Sequence, residues 1–515
     1  AAFNEPVARS QAGVVSWQGA DGRTHILAGA ENYTDGTTNG SAVRQYDLFG
    51  KTIEDAIPAW EASVGPLALG DLEGHGQLEL LVGGRVLPGR YPEPTSSKIY
   101  RYDGHQWRLD AEKSGHLENA GLVKAALLSD LDNDGFPEIV LASDWGPIRI
   151  FHNNHGTLAP WDPPLTWPAG QTNVPRPTVL SQLTGWWNGV TSGDFDGDGR
   201  LDLAVSNWGQ NTKYQADRAK ALSVYYGDLA GDESVQLVEA YYEPELKCVV
   251  PERQLSSLAK GLPWLRGKFD SNKAFSTASV QDVLGERLAT ARVVQANCLE
   301  SIVLLNRGDH FEVRLLPVEA QMAPAFGICV ADFDGDGNED LFLAQNFFAT
   351  QHETARYDAG LGLLLLGDGR GGFRAVSAHE SGIVIYGEQR GAASGDFDGD
   401  GRVDLAVGQN AADTKLFHNR QATPGLRVRL RGPPDNPEGV GAVIRLKAAG
   451  TWRAAREVHA GSGYWSQDSR VQVLGPQQAS EVEVRWPGGK LTTNAVPSGT
   501  RELTLSFDGR LLQSR

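Results

Sequence analysis

Cysteine and methionine are scarce in this chain of 515 residues, which contains three cysteines and a single methionine. Cys248, Cys298 and Cys329 are too few for a disulfide scaffold, and their odd number leaves at least one thiol unpaired, with a Cys248 to Cys298 bridge still open. CxxC and HExxH motifs are absent as well. The sequence therefore excludes a small disulfide-stapled fold and carries neither of these two metal-site motifs.

Long apolar runs and an excess of positive charge are missing too. No apolar stretch approaches the roughly 18 to 20 residues that span a bilayer. The 64 acidic residues outnumber the 47 Lys and Arg residues, which gives a net charge of -17 and argues against nucleic acid as a partner. A hydrophobic content of 40% still allows a large core, in one to three domains.

The chain begins with Ala1, and its only methionine is Met322. This start predicts that an N-terminal segment has been removed, and it fits cleavage of a signal peptide. The expected location is therefore secreted, at the cell surface or in the periplasm.

The chain does contain one acidic motif that is repeated several times. It reads DLDNDGFPEIV from Asp130, DFDGDGRLDLAV from Asp194, DFDGDGNEDLFL from Asp332 and DFDGDGRVDLAV from Asp396, with a degenerate copy, DLEGHGQLELL, from Asp71. Carboxylates at positions 1, 3, 5 and 9 and a carbonyl at position 7 can surround one calcium ion, while glycine at position 6 permits the sharp turn. Four complete copies in register predict about four structural Ca²⁺ sites rather than four solvated turns.

The predicted metal ligands are the four acids of each complete copy and the carbonyl oxygen of its seventh residue. They are Asp130, Asp132, Asp134, Phe136, Glu138, Asp194, Asp196, Asp198, Arg200, Asp202, Asp332, Asp334, Asp336, Asn338, Asp340, Asp396, Asp398, Asp400, Arg402 and Asp404. These copies are not EF-hands, because position 12 holds Leu or Val instead of the bidentate Glu and the flanking residues favour strands. Four bound Ca²⁺ would change the net charge from -17 to about -9.

Two degenerate copies lack part of the acid set. The Asp71 copy has Glu73 and His75 at positions 3 and 5, and a copy from Asp228 has Ala230 and Gln236 at positions 3 and 9. We expect these two copies to bind calcium weakly or not at all.

The spacing of the copies predicts a β-propeller. Successive copies lie 59 or 64 residues apart where no insert intervenes, which is enough for a blade of four short strands. Degenerate copies from Trp17 and Asp228 extend the series to seven positions, and so predict seven blades. The uneven spacing beyond Asp228 requires an insert, and residues of about 243–300 read partly as helix.

The C-terminal part of the chain reads differently. After Pro424, short alternating runs such as LRVRLRG, AVIRLKA and VEVRW predict a small β-sandwich or β-barrel without an acidic loop. The predicted fold class is thus all-β, with a seven-bladed β-propeller over residues 1–422 and a small β domain over residues 423–515.

These residues carry a family resemblance. The DFDGDG loops, together with LLNRGDHFEV and LLLGDGRGGF, resemble the FG-GAP/VCBS repeats of integrin-like propellers. The phrases NPEGVGAVIRL, EVHAGSGYWSQDS and VEVRWPGG resemble the ASPIC/UnbV domain that ends cartilage acidic protein and many secreted bacterial proteins. The resemblance implies a propeller with calcium loops and does not define an activity.

Candidate ligand-binding residues cluster around the Asp194 copy. They are Trp186, Trp187, Asn188, Trp208 and Asn211. Flat indole faces beside amide groups can stack on a sugar ring and bond its hydroxyl groups. The alternative is that these tryptophans pack between blades.

No acid/base or nucleophile constellation is found in the sequence, and the GSGYWS phrase, for example, does not fit GxSxG. Three functional hypotheses follow, of which the first, a binding protein without catalysis, is therefore favoured. The first is a secreted calcium-binding propeller that acts as a non-catalytic binding or adhesion module for a glycan or for an extracellular or periplasmic protein. The second is a propeller-scaffold enzyme such as a polysaccharide lyase or a dehydratase. The third is a subunit of a larger envelope complex. The fold alone does not choose among them.

Overall fold

A computed structural model describes residues 7, 9–19, 22–168, 176–214, 216, 218–475 and 478–515. Strands dominate this part of the chain and the helices are short, which confirms the predicted all-β class. Among the described residues, no helix combines the length and the apolar character that crossing a membrane requires. Cys248, Cys298 and Cys329 are free thiols.

Six mainly antiparallel sheets, called sheets 1 to 6, form the body of the molecule. Sheets 1 and 2 contain β1 (Gln11–Gln18), β2 (Thr24–Ala30), β3 (Ser41–Asp47), β4 (Thr52–Pro58), β5 (Ser63–Gly70), β6 (Glu79–Val86), β7 (Lys98–Tyr102) and β8 (Trp107–Asp110), and a short helix α1 (Ala111–Gly115) follows. Sheet 3 contains β9 (Leu122–Ser129), β10 (Glu138–Pro147), β11 (Arg149–Asn154), β12 (Thr157–Trp161) and the later β14 (Thr184–Trp186).

Sheet 4 is interrupted by an insert. It contains β13 (Leu165–Thr166), β15 (Gly189–Gly193), β16 (Asp202–Ser206), β21 (Ile302–Asn306) and β22 (Phe311–Leu315). Sheets 5 and 6 contain β23 (Ala325–Ala331), β24 (Asp340–Gln345), β25 (Leu363–Gly367), β26 (Phe373–Val376), β27 (Glu388–Gly395), β28 (Asp404–Asn410) and β29 (Ala412–Phe417), with helix α6 (Ala378–Ser381) between the two sheets.

The first strands of the six sheets pack side by side in chain order, as β1, β5, β9, β15, β23 and β27. β5, β9, β15 and β23 are almost entirely buried, because both faces of these sheets pack against neighbouring sheets. The third strand of sheet 6, β29, is by contrast mostly exposed. Burial thus decreases from the inner to the outer strands.

The insert forms a separate sheet between β16 and β21. It contains β17 (Leu222–Gly227), β18 (Gln236–Glu243), β19 (Cys248–Pro251) and β20 (Arg292–Ala296), with helices α2 (Leu255–Gly261), α3 (Leu265–Lys268), α4 (Asn272–Phe275) and α5 (Val280–Leu284). Helix α5 begins with a capping box between Ser279 and Asp282. This sheet packs on β10 and β14 of sheet 3 and is not part of the series of inner strands. Seven blades are therefore not confirmed.

The C-terminal residues form two further sheets around their own apolar core, which includes Leu446, Val484 and Trp486. The strands are β30 (Leu426–Arg431), β31 (Val443–Ala448), β32 (Thr451–Trp452), β33 (Arg456–Glu457), β34 (Gln472–Leu474), β35 (Glu481–Arg485), β36 (Leu491–Ala495), β37 (Glu502–Ser506) and β38 (Leu511–Ser514). We refer to them as the C-terminal sheets.

A segment of the C-terminal part, residues 460–471, runs along the axis of the six sheets and is called the axial segment. The amide of Leu69 in β5 donates to the carbonyl of Ala460 at 2.8 Å, and Gly463 exchanges two backbone hydrogen bonds with Val190 of β15. Near its end, Gln467 accepts a hydrogen bond from the amide of Ser16 in β1 at 2.8 Å. Asp468 accepts one from the amide of Ser394 in β27 at 2.7 Å. The axial segment thus links the first sheet to the sixth.

Candidate calcium loops and axial cavity

The acidic phrases form the turns between the first and second strands of sheets 2 to 6. We call them the Asp71, Asp130, Asp194, Asp332 and Asp396 loops after their first residues. Position 9 of each loop is the first residue of the second strand, so the strand itself fixes the last carboxylate. All five loops consequently lie at one end of the propeller, where the inner strands finish.

Two backbone hydrogen bonds recur in every loop. The amide of the position 6 glycine donates to the position 1 carboxylate, and the amide of position 2 donates to the position 9 carboxylate. In the Asp194 loop these bonds are both 2.9 Å long, from Gly199 to Asp194 and from Phe195 to Asp202. The turn requires glycine at position 6, where φ is positive, as at Gly199 with φ 91°. The backbone therefore holds each acid in place before any ion is considered.

The acids of the loops fit a cation with oxygen ligands. One oxygen each of Asp130, Asp132 and Asp134 lie within 4.8 Å of one another, and the same holds for Asp194, Asp196 and Asp202 and for Asp332, Asp334 and Asp336. In the Asp396 loop, the acids at positions 3 and 5 form such a group with His418. A hard cation such as Ca²⁺ prefers the all-oxygen donor sets of the Asp130, Asp194 and Asp332 loops.

Unpartnered oxygen atoms provide a second test of the fit. Among the described residues, Oδ1 of Asp130, of Asp194 and of Asp196 is buried without a hydrogen-bond partner. The side chains of Asp130 and Asp194 are almost wholly buried, at 2% and 1% exposure. A buried charged oxygen without a partner costs free energy, and a cation bound by these loops removes that cost.

Burial also raises the pKa values of several loop acids and so disfavours their ionised forms. Desolvation raises the pKa of Asp130 to about 7 and that of Asp332 to about 7, and nearby carboxylates add to the effect. It also raises the pKa of Glu138 to about 9 and that of Asp340 to about 8. Holding these groups ionised at neutral pH therefore requires a compensating positive charge.

The Asp71 loop obtains that charge from its own side chains. Glu73 at position 3 is bound by the Lys113 ammonium at 2.6 Å, by the Arg101 guanidinium at 2.5 Å and by His75 at 2.7 Å. The Asp228 turn is held by amides instead, with Gly231 donating to Asp228 at 2.6 Å.

Sequence reasoning missed an asparagine that ties the Asp130, Asp194 and Asp396 loops to the third strand of their sheets. The amide of Asn306 donates to Asp202 at 2.7 Å, and its side chain donates to the carbonyl of Leu131, in the preceding sheet's loop, at 2.7 Å. Asn153 and Asn419 occupy the matching places, with their side chains on Leu72 and Phe333. The signal was present in the similar phrases FHNN, LLNRG and FHNR, each of which lies at the end of a strand.

In the same three loops, the residue next to this asparagine places a basic side chain close to the acid at position 3. His152 lies 3.5 Å from Asp132, His418 lies 3.0 Å from Asp398, and Arg307 forms an ion pair with Asp196. The loops are thus flanked by cationic or titratable side chains on their outer side, a feature that an isolated loop sequence does not predict.

The predicted ligand-binding residues separate into two groups. Trp187 and Asn188 are fully buried, and the indole of Trp187 donates to the carbonyl of Gly146 at 3.0 Å. Trp186 and Trp208 contact each other edge to face, with ring centroids 5.1 Å apart, and both line a cavity. Asn211 is exposed and donates to the carbonyl of Met322 at 3.0 Å. Of these five residues, Trp186 and Trp208 line the cavity.

This axial cavity has a volume of about 360 Å³ and lies at the end of the propeller opposite the acidic loops. Its wall is largely aromatic: Tyr91, Trp145, Trp186, Trp208, Tyr214, Phe326, Phe347, Tyr357 and Tyr464. Tyr464 comes from the axial segment, so the C-terminal part of the chain supplies part of the cavity wall. The cavity therefore needs both parts of the molecule.

The charged groups of the cavity are paired. Lys124 lies 3.2 Å from Asp144, and Arg253 lies 2.7 Å from Glu239. Arg85 lies 2.5 Å from Glu31, and Arg390 forms an ion pair with Glu388. The wall thus offers apolar ring faces, hydrogen-bond donors and hydrogen-bond acceptors without a large excess of either charge.

Comparison with known proteins identifies the class. Residues 130–205 and 332–407 match the family model of the FG-GAP-like repeat, and residues 432–510 match that of ASPIC and UnbV. The chain therefore contains FG-GAP-like repeats followed by an ASPIC/UnbV domain, which confirms the resemblance seen in the sequence.

Among curated proteins, the chain is similar to cartilage acidic protein 1. It is 28% identical to the Homo sapiens protein over 215 residues, which are 39% of this chain and 32% of that protein. It is 33% identical to the Xenopus tropicalis protein over 119 residues, which are 22% of this chain and 18% of that protein. The matched part spans a third or less of the length of these relatives, and the relationship is distant.

Among solved structures, the rhamnogalacturonan lyase YesX aligns with a TM-score of 0.32 and 11% identity, over 97% of this chain and 76% of that one. The V. cholerae biofilm matrix protein Bap1 aligns with a TM-score of 0.27 and 12% identity, over 98% of this chain and 97% of that one. Likenesses this low carry no functional argument.

Proposed function

We propose that this protein is a secreted, calcium-stabilised propeller that binds a glycan in its axial cavity without transforming it. The observation that carries the proposal is the cavity wall, in which aromatic rings stand beside paired acids and bases. Stacking of sugar rings on aromatic faces, together with a few polar contacts, is how such pockets bind saccharides. Because the charges of the wall are paired, the proposed ligand is a saccharide of low net charge.

The proposed calcium ions are structural. The acids and the position 7 carbonyls of the Asp130, Asp194, Asp332 and Asp396 loops would hold them, and each ion would neutralise acids that burial otherwise penalises. Loops of this kind are most useful where calcium is millimolar, which supports a location outside the cytoplasm.

The test compares the wild-type protein with the Trp208→Ala variant. For each protein, the affinity for a panel of neutral and acidic polysaccharides is measured. Trp208 is half-buried and its ring forms part of the wall, so the variant is expected to lose about tenfold in affinity while keeping its melting temperature within a few degrees. Stacking worth on the order of 1 kcal/mol or more sets this scale.

Trp452→Ala is the matched control. Trp452 is also half-buried but lies in β32, away from the cavity, and its loss is expected to leave glycan affinity unchanged. Equal affinities for the wild-type protein and Trp208→Ala would show that the cavity does not bind the glycan. The absence of binding to every polysaccharide would overturn the proposal.

A second candidate function rests on Lys124. Burial lowers the pKa of this ammonium, which lies in the cavity wall beside Asp144, and the hydroxyl of Tyr91 donates to Asp144 at 3.4 Å. An amine of lowered pKa can accept a proton from the carbon next to a uronate carboxylate while the C–O bond to the leaving sugar breaks and a C=C bond forms, as in a lyase. The leaving sugar oxygen takes a proton from water. Release of unsaturated sugars by the wild-type protein, lost in Lys124→Gln, would favour this candidate over simple binding.

A further inference from the structure

The C-terminal sheets lie against the same face of the propeller that carries the acidic loops. The amide of Gly488 donates to the carbonyl of Gly135 at 2.8 Å, and the amide of Gly425 donates to that of Gly401 at 2.7 Å. The amide of Thr423 donates to the carbonyl of Asp334 at 3.0 Å. The proposed metal loops are therefore also the surface on which the C-terminal sheets rest.

The position 1 carboxylates are central to this interface. Nε of Arg485 lies 3.1 Å from Oδ2 of Asp130, and the amide of Ala455 donates to Oδ2 of Asp194 at 2.9 Å. Arg427 forms an ion pair with Oδ2 of Asp396. At the Asp332 loop, the contact is with Gly475. This glycine lies so close to Oδ2 of Asp332 that any side chain at position 475 would collide with that oxygen. In all four complete loops, the same oxygen of position 1 faces the C-terminal part of the chain.

The second oxygen of these carboxylates is used differently. Among the described residues, Oδ1 of Asp130 and Oδ1 of Asp194 have no hydrogen-bond partner, and one oxygen of each acid belongs to the cluster that fits a cation. In Asp130 and Asp194, Oδ2 thus faces the C-terminal sheets while Oδ1 has no other partner among the described residues. In Asp332 and Asp396, Oδ1 also accepts an amide of its own loop, from Gly335 at 2.8 Å and from Gly399 at 2.7 Å.

From this division we infer that calcium binding to the loops and docking of the C-terminal sheets are energetically coupled through the position 1 carboxylates. The inference rests on the proposed binding of calcium. We place the ion on Oδ1, whereas Arg485 and Arg427 contact Oδ2. In this arrangement the ion and the arginines do not compete, and an ion that fixes the carboxylate also fixes the oxygen presented to the arginine. Coupling of this kind is reciprocal, so loosening the docked sheets must weaken calcium binding to the same degree.

The test uses arginines that touch the loops but are not metal ligands. Arg485→Gln and Arg427→Gln, combined in one variant, remove the charged contacts to Asp130 and Asp396. Calcium affinities are measured by competition with a chromophoric chelator, on full-length protein whose fold is checked by circular dichroism. Two of the four sites are expected to weaken by about fivefold or more, the lower end of typical couplings, and the other two to keep their affinity.

Arg429→Gln is the matched control, because Arg429 lies on the same strand as Arg427 but faces Glu502 at 3.8 Å and no loop. Its calcium affinities are expected to equal those of the wild-type protein. Unchanged affinities in the double variant would overturn the coupling while leaving calcium binding intact. Tightened affinities would show that the arginines compete with the ion, and would also overturn it.

Hydrogen exchange on the wild-type protein gives an independent readout if the double variant does not fold. The amides of Ala455 and Gly488 are expected to exchange at least several-fold faster after chelation than in calcium, because both donate to loop oxygens. Equal exchange in the two states would overturn the coupling. Failure of the wild-type protein to bind any calcium would instead overturn the proposed calcium sites, and this inference with them.

Discussion

At the scale of single residues, the carboxylate at position 9 of the Asp194 and Asp332 loops accepts hydrogen bonds with both of its oxygens. In Asp202, one oxygen accepts the amide of Phe195 at 2.9 Å and the other accepts the amide of Asn306 at 2.7 Å. Asp340 does the same with Phe333 at 2.7 Å and Gly367 at 2.9 Å. The acid therefore joins its loop to two strands and is buried for that reason, and this burial produces the raised pKa values of the loops.

These pKa values predict an unusual pH dependence for the metal-free protein. Burial raises the pKa of Asp194 to about 6, of Asp130 to about 7 and of Asp340 to about 8. A raised pKa means that the folded chain binds the proton more tightly than the unfolded chain does. Its contribution to stability is therefore complete below the unfolded carboxyl pKa of about 4 and is lost as the pH rises through about 6 to 8. In a chelator, the melting temperature is thus expected to rise as the pH is lowered from 8 to 6.

With calcium present, the trend is expected to reverse, because protons and the ion compete for the same carboxylates. The difference between the melting temperatures with and without calcium should shrink as the pH falls from 8 to 6. A metal-free protein that becomes less stable over this interval would contradict the assignment of raised pKa values to the loops.

At the scale of elements, the loops differ in how they are neutralised. The Asp71 loop has Lys113 and Arg101 on Glu73, whereas Asp132, at the same position of the Asp130 loop, lies 3.5 Å from His152. The acid at position 3 is thus paired with permanent cations in the first loop and with a titratable ring in the second.

Matched charge removal at position 3 tests this difference. Asp132→Asn is expected to lower the number of calcium ions bound per chain from about four to about three when calcium is near the affinity of the sites, because one ligand charge is lost. Glu73→Gln is expected to leave the number unchanged. Elemental analysis after dialysis measures both, and a loss of one ion in Glu73→Gln would show that the Asp71 loop is also a metal site.

Sequence reasoning predicted the loops because their chemistry is local, with acids, glycine and the following strand all within twelve positions. It did not predict the arrangement of the sheets, because the Asp228 copy belongs to the inserted sheet, whose place depends on packing against β10 and β14. Trp186 and Trp187 show the same limit: adjacent in sequence, one lines the cavity and the other lies in the core. Trp186 is the last residue of β14 and Trp187 follows the strand, and the sequence does not say which of the two indoles reaches the cavity.

At the scale of the whole molecule, the axial segment ties the C-terminal part of the chain to the propeller. Gln467 binds β1 and Asp468 binds β27, while Trp465 donates to the carbonyl of Lys124 in β9 at 2.9 Å. No residue of the propeller sequence reveals these contacts, because their partners lie hundreds of positions away along the chain.

Truncation tests this dependence. A protein ending at residue 422 loses the link between the first and sixth sheets and exposes apolar groups along the axis, so its melting temperature is expected to fall by more than 10 °C or its unfolding to lose cooperativity. The smaller change Asp468→Asn should lower the melting temperature by only a few degrees. A truncated protein that melts like the full chain would show that the six sheets are stable without the axial segment.

The most direct test of the calcium account is thermal melting before and after chelation, with bound metal counted on the same samples. For sites with an affinity of about 10 µM in about 1 mM calcium, each ion stabilises the fold by roughly 2.7 kcal/mol. The account predicts about four calcium ions per chain and a fall in melting temperature of 10 °C or more when they are removed. An unchanged melting curve, with loss of the metal confirmed by elemental analysis, would contradict it.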